Sequence, residues 1–352
     1  MKTNWNGKRI LILGAARQGL ALARWLSLHG AHVILSDSRK PEDLRVARES
    51  LAELPIEWAL GGHPLELLDA ADVLCLSGGV PLTLPIVAEA IKRGMPLSND
   101  SQIFMEVVPC RTIGITGSAG KTTTTTLVGK MAKNAYGEKS YVGGNIGDPL
   151  INYVDDMKVD DIAILELSSF QLEQMTISPN IAAILNITPN HLDRHGTMEA
   201  YTAAKAHILE FQSGHDAAVL GRDDKGAWTL RNKVNGKLFT FSLHELEEGL
   251  NGAFYHHEGL LSLRDGNAYF PLMLREKVLL RGDYNVANVL AAFTIGHAAG
   301  FPLDAMLEAV EDFRGVPHRL ELVRELNGVR WYNNSIASAP ERTIAVIHAF
   351  DE

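Results

Sequence analysis

The chain has 352 residues, 46% of them hydrophobic and 21% charged, with a formal net charge of -9. That length exceeds one ordinary core and predicts two or three domains. The acidic balance argues against a nucleic-acid binder working through a broad basic surface. Cys75 and Cys110 sit in or beside apolar runs; two cysteines are too few for a metal cluster and read as buried thiols rather than a disulfide. Met1 to Gly7 is polar and lacks a signal-peptide core. No apolar run approaches the ~20 residues of a membrane span. A cytoplasmic protein without membrane or nucleic-acid partners is expected.

In chain order, Lys8 to Leu13 predicts a strand, Gly19 to His29 a helix and His32 to Leu35 a second strand ending near Asp37. This is a Rossmann-type β-α-β with an imperfect fingerprint. In Gly14-Ala15-Ala16-Arg17-Gln18-Gly19, Ala16 stands where the middle glycine admits a pyrophosphate. That argues against bound NAD. Asp37 fits a sugar hydroxyl, a nucleobase edge or plain solvent, and Arg39 fits phosphate, uracil or water. The pattern then repeats. Val73 to Leu76 is a strand, Ser77-Gly78-Gly79-Val80 a turn at its end, and Leu84 to Arg93 a helix closed by Gly94 and Pro96. A domain boundary is expected near Cys110.

The next strand, Thr112 to Ile115, leads into Thr116-Gly117-Ser118-Ala119-Gly120-Lys121-Thr122-Thr123 and a helix to Lys133. This is the layout of a phosphate-binding loop. Small residues let backbone N–H groups close around phosphate oxygens, the helix start adds positive potential, Lys121 adds a full charge, and the Thr122 hydroxyl suits Mg²⁺. The loop departs from the common pattern, because Ile115 stands where the leading glycine is expected. Tyr141 to Gly147 is glycine-rich and reads as a loop, either plain or wrapped around a ligand. Asp161 to Leu167 is a strand carrying Glu166 near its end, where a carboxylate beside a phosphate loop suits a metal ion or is a satisfied glutamate. Ile181 to Ile187 is a further strand, followed by Asn190-His191-Leu192-Asp193-Arg194-His195. The ionisable groups there look like site chemistry, although His195 also reads as a surface residue. The helix Met198 to Phe211 carries Lys205 among alanines, where a lysine ordinarily snorkels to water.

Asp216 to Leu220 is strand-like. Leu238 to Phe241, Ala253 to His256, Leu260 to Leu263 and Ala268 to Leu274 then predict a meander at one edge, with Asn-Gly and Asp-Gly turns. A long helix runs from Gly282 through Ala299; Asn285 and Asn288 share one of its faces and suit an adenine edge or an N-cap. Pro302 to Phe313 is a further amphipathic helix. Pro317-His318-Arg319 precedes a hairpin with an Asn327-Gly328 turn, and a helix starts at Pro340. A hairpin and one helix cannot bury a core. A third α/β domain, cut off or continued in a longer chain, is expected from 316 to 352. Residues 1–110 and 111–315 would be the other two domains.

These motifs, in this order, resemble the Mur ligase family, and within it the branch that adds D-glutamate. The resemblance rests on Thr116 to Thr123, Gly143-Gly144-Asn145-Ile146-Gly147, Glu166 to Leu172 and Asn186 to Arg194. It implies an α/β protein: a Rossmann-like UDP-binding domain, a central ATPase domain and a glutamate-binding domain. It implies an ATP-dependent ligase of peptidoglycan precursor synthesis, joining glutamate to UDP-N-acetylmuramoyl-L-alanine through an acyl-phosphate with two Mg²⁺ ions; a monomer is expected, with the oligomeric state left open by the sequence. By resemblance Thr122 and Glu166 hold one ion, and His191 and a carbamylated Lys205 the other. Lys121 neutralises β/γ phosphate, and Asn285, Asn288, Arg319 and Asn334 lie on the nucleotide side. Arg17, Gln18, Asp37, Arg39 and Gly79 would hold UDP, and Asn145, Ser168, Gln171 and His191 the muramoyl-alanine part. Asn334-Ser335-Ile336 stands where many family members carry Asp-Ser-Lys, which leaves a nucleotide-binding homologue without ligase activity as a second reading. The choice between D- and L-glutamate stays open.

Overall fold

The computed structural model describes residues 4–337 and 340–350; Met1, Ser338 and Glu352 lie outside the described residues. The first sheet is built from β1 (Arg9–Leu13), β2 (His32–Asp37), β3 (Ile56–Leu60), β4 (Val73–Leu76) and β5 (Leu97–Ser98), in the order β3-β2-β1-β4-β5. All its pairings are parallel. Its inner strands β1, β2 and β4 are rich in apolar residues because both faces are covered. Ile10 and Ile12 of β1 pack with Leu22 and Leu26 of α1 (Arg17–Leu28). Leu11 and Leu13 face the other way, into a cluster with Ile86 and Val87. The helices α2 (Arg45–Glu49), α3 (Pro85–Lys92) and α4 (Asp100–Val107) complete this unit.

The second sheet follows from β6 (Arg111–Thr116), with α5 (Lys121–Tyr136), β7 (Ser140–Gly144), β8 (Ile162–Glu166), α6 (Ser169–Leu172), β9 (Ile181–Ile184), α7 (Leu192–His195), α8 (Met198–Glu210), β10 (Ala217–Gly221), α9 (Lys225–Thr229) and β11 (Lys237–Phe241). The strand order is β11-β10-β9-β6-β8-β7, again parallel. β6 lies between β8 and β9, so the segments leaving these three strands meet at one sheet edge. That is where open α/β sheets bind ligands. A small antiparallel sheet of β12 (Gly252–His256), β13 (Leu260–Asp265) and β14 (Ala268–Leu274) follows. Then come α10 (Asp283–Ala299), α11 (Leu303–Glu311), the hairpin β15 (Glu321–Leu326) and β16 (Val329–Asn333), and α12 (Pro340–Ile347). Among the described residues no helix is long and apolar enough to cross a membrane.

Several expectations change. The Leu238–Phe241 segment is not part of the meander: as β11 it pairs with β10 at the edge of the parallel sheet. The glycine-rich segment from Tyr141 is not all loop. Its first half is β7, paired with β8 from Ser140 to Gly144. Asn285 and Asn288 cap nothing; Gly282 is the N-cap of α10 and both asparagines are buried one turn inside it.

The two parallel sheets share one apolar cluster, in which Leu22 and Leu26 of α1 join Leu150, Ile151 and Val154 of the loop after β7. Polar side chains stitch the same seam. Asn99 caps α4 and donates to the Gln171 carbonyl at 2.8 Å, and Gln171 donates to the Ser101 hydroxyl at 2.8 Å. Asp100 lies in this seam, 7% exposed, and its Oδ1 has no hydrogen-bond partner. Burial pushes its carboxyl up to about 6, against the opposing Gln171 hydrogen bond. An acid raised above its unfolded value, ~3.9, favours the fold while neutral, and its penalty grows as pH rises from that value to about 6. Asp100→Asn is therefore expected to stabilise the fold by roughly 1–3 kcal/mol at pH 8 and scarcely at all at pH 4. Denaturant unfolding at the two pH values checks this, and an equal gain at both would mean a packing effect instead.

Candidate active site

β6 delivers Thr116 to the sheet edge, and the chain turns through Gly117-Ser118-Ala119-Gly120 into α5. Three side chains hold the turn open. Ser118 donates to the Thr188 carbonyl at 2.9 Å, and its hydroxyl lies 3.0 Å from the Tyr201 hydroxyl. Asn186, just past β9, accepts from the Ala119 N–H at 2.8 Å and donates to the Ala119 carbonyl at 3.1 Å. Gly120 is left-handed, φ 83°, and a Cβ there would lie 2.2 Å from Asn288 Oδ1. Lys121 folds back, its Nζ donating to the Gly117 carbonyl at 2.8 Å. The loop is thus a pre-shaped cradle of N–H groups at a helix start, as anion binding requires.

Arg319 donates to Thr122 Oγ1 at 2.9 Å, which brings the segment before the hairpin onto the first turn of α5. Its neighbours His318 and Leu320 hold left-handed backbone, φ 65° and 52°, a conformation costly for such residues. The Asn334 side chain accepts from the Leu320 N–H at 3.2 Å and supports this arrangement. Asn288 lies 3.4 Å from the Thr124 hydroxyl and donates to Asn285 at 3.2 Å. The expected nucleotide-side residues are therefore gathered around one helix start.

At the end of β8, Glu166 is 2% exposed. Its Oε1 accepts from Asn145 Nδ2 at 2.9 Å, while Oε2 is buried without a hydrogen-bond partner. A buried carboxylate oxygen left without a donor is costly, and a cation would satisfy it. Lys205 does not snorkel: it is 1% exposed. Its Nζ donates to the Thr116 hydroxyl at 3.2 Å and the Gly117 carbonyl at 3.0 Å. Burial first, and nearby Lys121 second, push Lys205 well below the ordinary lysine range, with Glu166 opposing. Tyr201, one turn earlier on the same helix face, lies under its ammonium at 4.8 Å. His191 caps α7 in the left-handed region, φ 54°, exposed and edge-on to Phe170 at 5.3 Å. His195 is not a surface residue. Its side chain is 1% exposed, stacked on Phe170 at 5.0 Å, with Nε2 2.9 Å from the Ser169 hydroxyl. Burial lowers its pKa, and neighbouring Lys205 adds to that.

Across the seam lies a narrow crevice at the ends of β4 and α6, lined by residues that include Ser77, Gly78, Asn99, Phe170 and Arg194. Arg194 stacks on Phe170 at 4.4 Å and donates to the Gly79 and Val80 carbonyls at 3.4 and 3.3 Å. Asp37 and Arg39 face one another: Arg39 donates to both carboxylate oxygens at 2.8–2.9 Å, and the Ala15 N–H gives a third bond. The Arg39 hydrogen bond, outweighing burial, holds Asp37 well below the usual carboxylate range. Arg17 is exposed, and Gln18 donates to the Gly144 carbonyl at 3.3 Å. Gln171 is 1% exposed. Its Oε1 accepts from the Ser168 N–H and hydroxyl, so both residues form a capping box rather than an open polar wall.

Sequence reasoning gave no individual role to Tyr201, Asn186, Phe170 or Arg194. Tyr201 had a readable signal, four residues before Lys205; the other three depend on contacts across the seam or the sheet edge. Comparison with known proteins agrees with the geometry. Residues 115–296 match the Mur ligase middle domain, and residues 8–99 the N-terminal domain of MurD-like Mur ligases. The chain is 40% identical over 346 residues to the UDP-N-acetylmuramoylalanine--D-glutamate ligase of Acidobacterium capsulatum, covering 98% of this chain and 74% of that protein. It is 39% identical to the ligase of the same name from Koribacter versatilis, covering 98% and 76%. In fold it is similar to the MurF ligase of Thermotoga maritima solved in complex with ADP, with a TM-score of 0.54 at 18% identity over 99% of this chain and 75% of that one. With both domains matched and such identity over nearly its whole length, this chain belongs to the Mur ligase family.

Proposed function

We propose that the chain is an ATP-dependent ligase of the cytoplasm that joins D-glutamate to UDP-N-acetylmuramoyl-L-alanine in peptidoglycan precursor synthesis. The observation that carries the reading is the buried Glu166 oxygen without a partner, set beside the phosphate cradle and a lysine biased toward its neutral form. Residues 1–110 hold the UDP-sugar, with Arg17 and the Asp37–Arg39 pair at its nucleotide end and Gly79 near the crevice. Residues 111–315 hold ATP. Residues 316–352 begin a third domain that takes glutamate.

The N–H groups of residues 120–123 bind the β and γ phosphates, and Lys121 leaves the Gly117 carbonyl to meet them. Arg319 and Asn288 border the nucleotide. Glu166 and Thr122 fit one divalent cation. Lys205, whose charged form burial disfavours, is suited to capture CO₂ as a carbamate, which with His191 would hold a second. Bound Mg²⁺ supplies positive charge to the transferring phosphoryl group. The alanyl carboxylate takes the γ-phosphoryl group and ADP leaves. The glutamate amine then displaces phosphate, forms the amide and gives up a proton.

Phosphate release is the direct test. It is expected to need ATP, Mg²⁺, the UDP-sugar and D-glutamate together. Release at the same rate with L-glutamate, or without the UDP-sugar, would overturn the substrate assignment.

A further inference from the structure

Asn145 touches Glu166 twice. Its backbone N–H donates to the Glu166 carbonyl at 2.9 Å, and its Nδ2 donates to Oε1 at 2.9 Å. An asparagine amide has two N–H donors and one acceptor. One donor is committed to Glu166. The residue is exposed, so the rest of its amide is within reach of a ligand. The bond to Oε1 also fixes the carboxylate plane, leaving Oε2 buried and without a partner.

Gly144, the preceding residue, is paired with Glu166 across β7 and β8. It has φ 92°, and a Cβ on it would lie 2.4 Å from the Glu166 carbonyl oxygen. Gln18, on the first turn of α1, donates to the Gly144 carbonyl at 3.3 Å. A contiguous path therefore runs from the glycine turn of the first sheet to the orphaned oxygen of the second.

We infer that Asn145 is a positioning residue for Glu166, and that through Gly144 and Gln18 it couples occupancy of the N-terminal sugar-nucleotide pocket to divalent-cation affinity at Glu166 Oε2. The inference rests on the proposed function for the identity of the sugar nucleotide and of the cation. A ligand that settles the Gln18 turn holds the Gly144 carbonyl, and Gly144 holds the Glu166 backbone. A ligand that meets the rest of the Asn145 amide restrains the same carboxylate from the side-chain end. Either contact narrows the positions open to Oε2, so the cation loses less freedom on binding. Linkage makes the effect reciprocal: the cation tightens the sugar nucleotide by the same factor.

Mn²⁺ is the probe, because electron paramagnetic resonance counts it free in solution without turnover. It is titrated into the full chain with a non-hydrolysable ATP analogue, with and without UDP-N-acetylmuramoyl-L-alanine. In the unaltered chain Mn²⁺ is expected to bind about 5–20-fold more tightly with the sugar nucleotide present, the lower part of the usual range of site coupling. Glu166→Gln should remove most Mn²⁺ binding. Asn145→Ala should weaken Mn²⁺ by about 10-fold, the scale of lost support behind a metal ligand, and should erase the sugar-dependent gain. Asn145→Ser, with a shorter donor, should fall between. Analogue affinity in EDTA should be unchanged in all three, which shows that each is folded. If Asn145→Ala binds Mn²⁺ as the unaltered chain does, the inference is overturned and the function stands. If Glu166→Gln leaves Mn²⁺ binding intact, the proposed cation site fails, and the inference with it.

Discussion

Lys205→Met is expected to make the protein more stable and far less active. Methionine replaces the buried stem without the amine. The Lys205 pKa is depressed in the fold, chiefly by burial. A base with a depressed folded pKa costs stability below its unfolded value, ~10.4, because the unfolded chain takes up a proton that the fold resists. At pH 7.5 in CO₂-free buffer the substitution should therefore raise the unfolding midpoint. The gain should shrink as pH approaches ~10.4.

Turnover should move the other way. If the lysine holds a cation as its carbamate, its loss removes charge stabilisation of several kcal/mol, a fall of roughly 10³-fold in phosphate release. Melting curves and a phosphate-release assay on the same preparation separate the two effects. A variant that is destabilised and keeps its turnover would make Lys205 a packing residue, supported only by its bonds to Thr116 and Gly117. Incorporation of ¹³C-bicarbonate, seen as a new carbonyl resonance in the unaltered chain and absent from Lys205→Met, tests the carbamate directly.

The architecture was legible because buried parallel strands are continuous apolar runs. Val73–Leu76 has four buried residues in four, and its ends were read to the residue. Edge strands carry no such signal. β7 is Ser-Tyr-Val-Gly-Gly and half open; its glycines resemble a loop because their reason lies across the sheet, at Glu166. α4 was missed for the opposite cause. Seven of its eight residues are buried, including Asp100, Ser101 and Gln102, so it shows no polar face to set a helical period.

The site divides in the same way. The phosphate cradle is local in sequence and could be read directly. Lys205 looked like a snorkelling side chain until the resemblance gave it a task, since nothing nearby in sequence reports that Thr116 and Gly117 lie above it. His195 was misplaced because its burial is made by Phe170 and Tyr201, which come from two other helices. Asp37 and Arg39 were read separately, although a spacing of two at a strand end lets one fork both oxygens of the other. Gln171 and Ser168 look open in sequence, yet their polar groups are already paired in the capping box.

Gly120→Ala is expected to cost more nucleotide affinity than any other single methyl group placed in the cradle. Two penalties coincide there. The backbone sits at φ 83°, where an L side chain costs about 1–2 kcal/mol. The new Cβ would also lie 2.2 Å from Asn288 Oδ1, so Asn288 must swing away and break its contacts with Asn285 and Thr124. Relief by a shift of Gly120 instead would turn the loop N–H groups off the phosphate. Binding of a non-hydrolysable ATP analogue should weaken by at least 100-fold, or ~3 kcal/mol, as read by calorimetry. Gly79→Ala is the control for folding: Gly79 has no positive φ and nothing within 4 Å of an added Cβ, so its unfolding midpoint should not change. The double variant Gly120→Ala/Asn288→Ala separates the two penalties. It should recover the steric share of the lost stability, a coupling of about 1 kcal/mol or more, and leave the backbone share in place. Additive losses would mean that the left-handed turn alone, and not its contact with α10, makes glycine necessary at the start of the nucleotide helix.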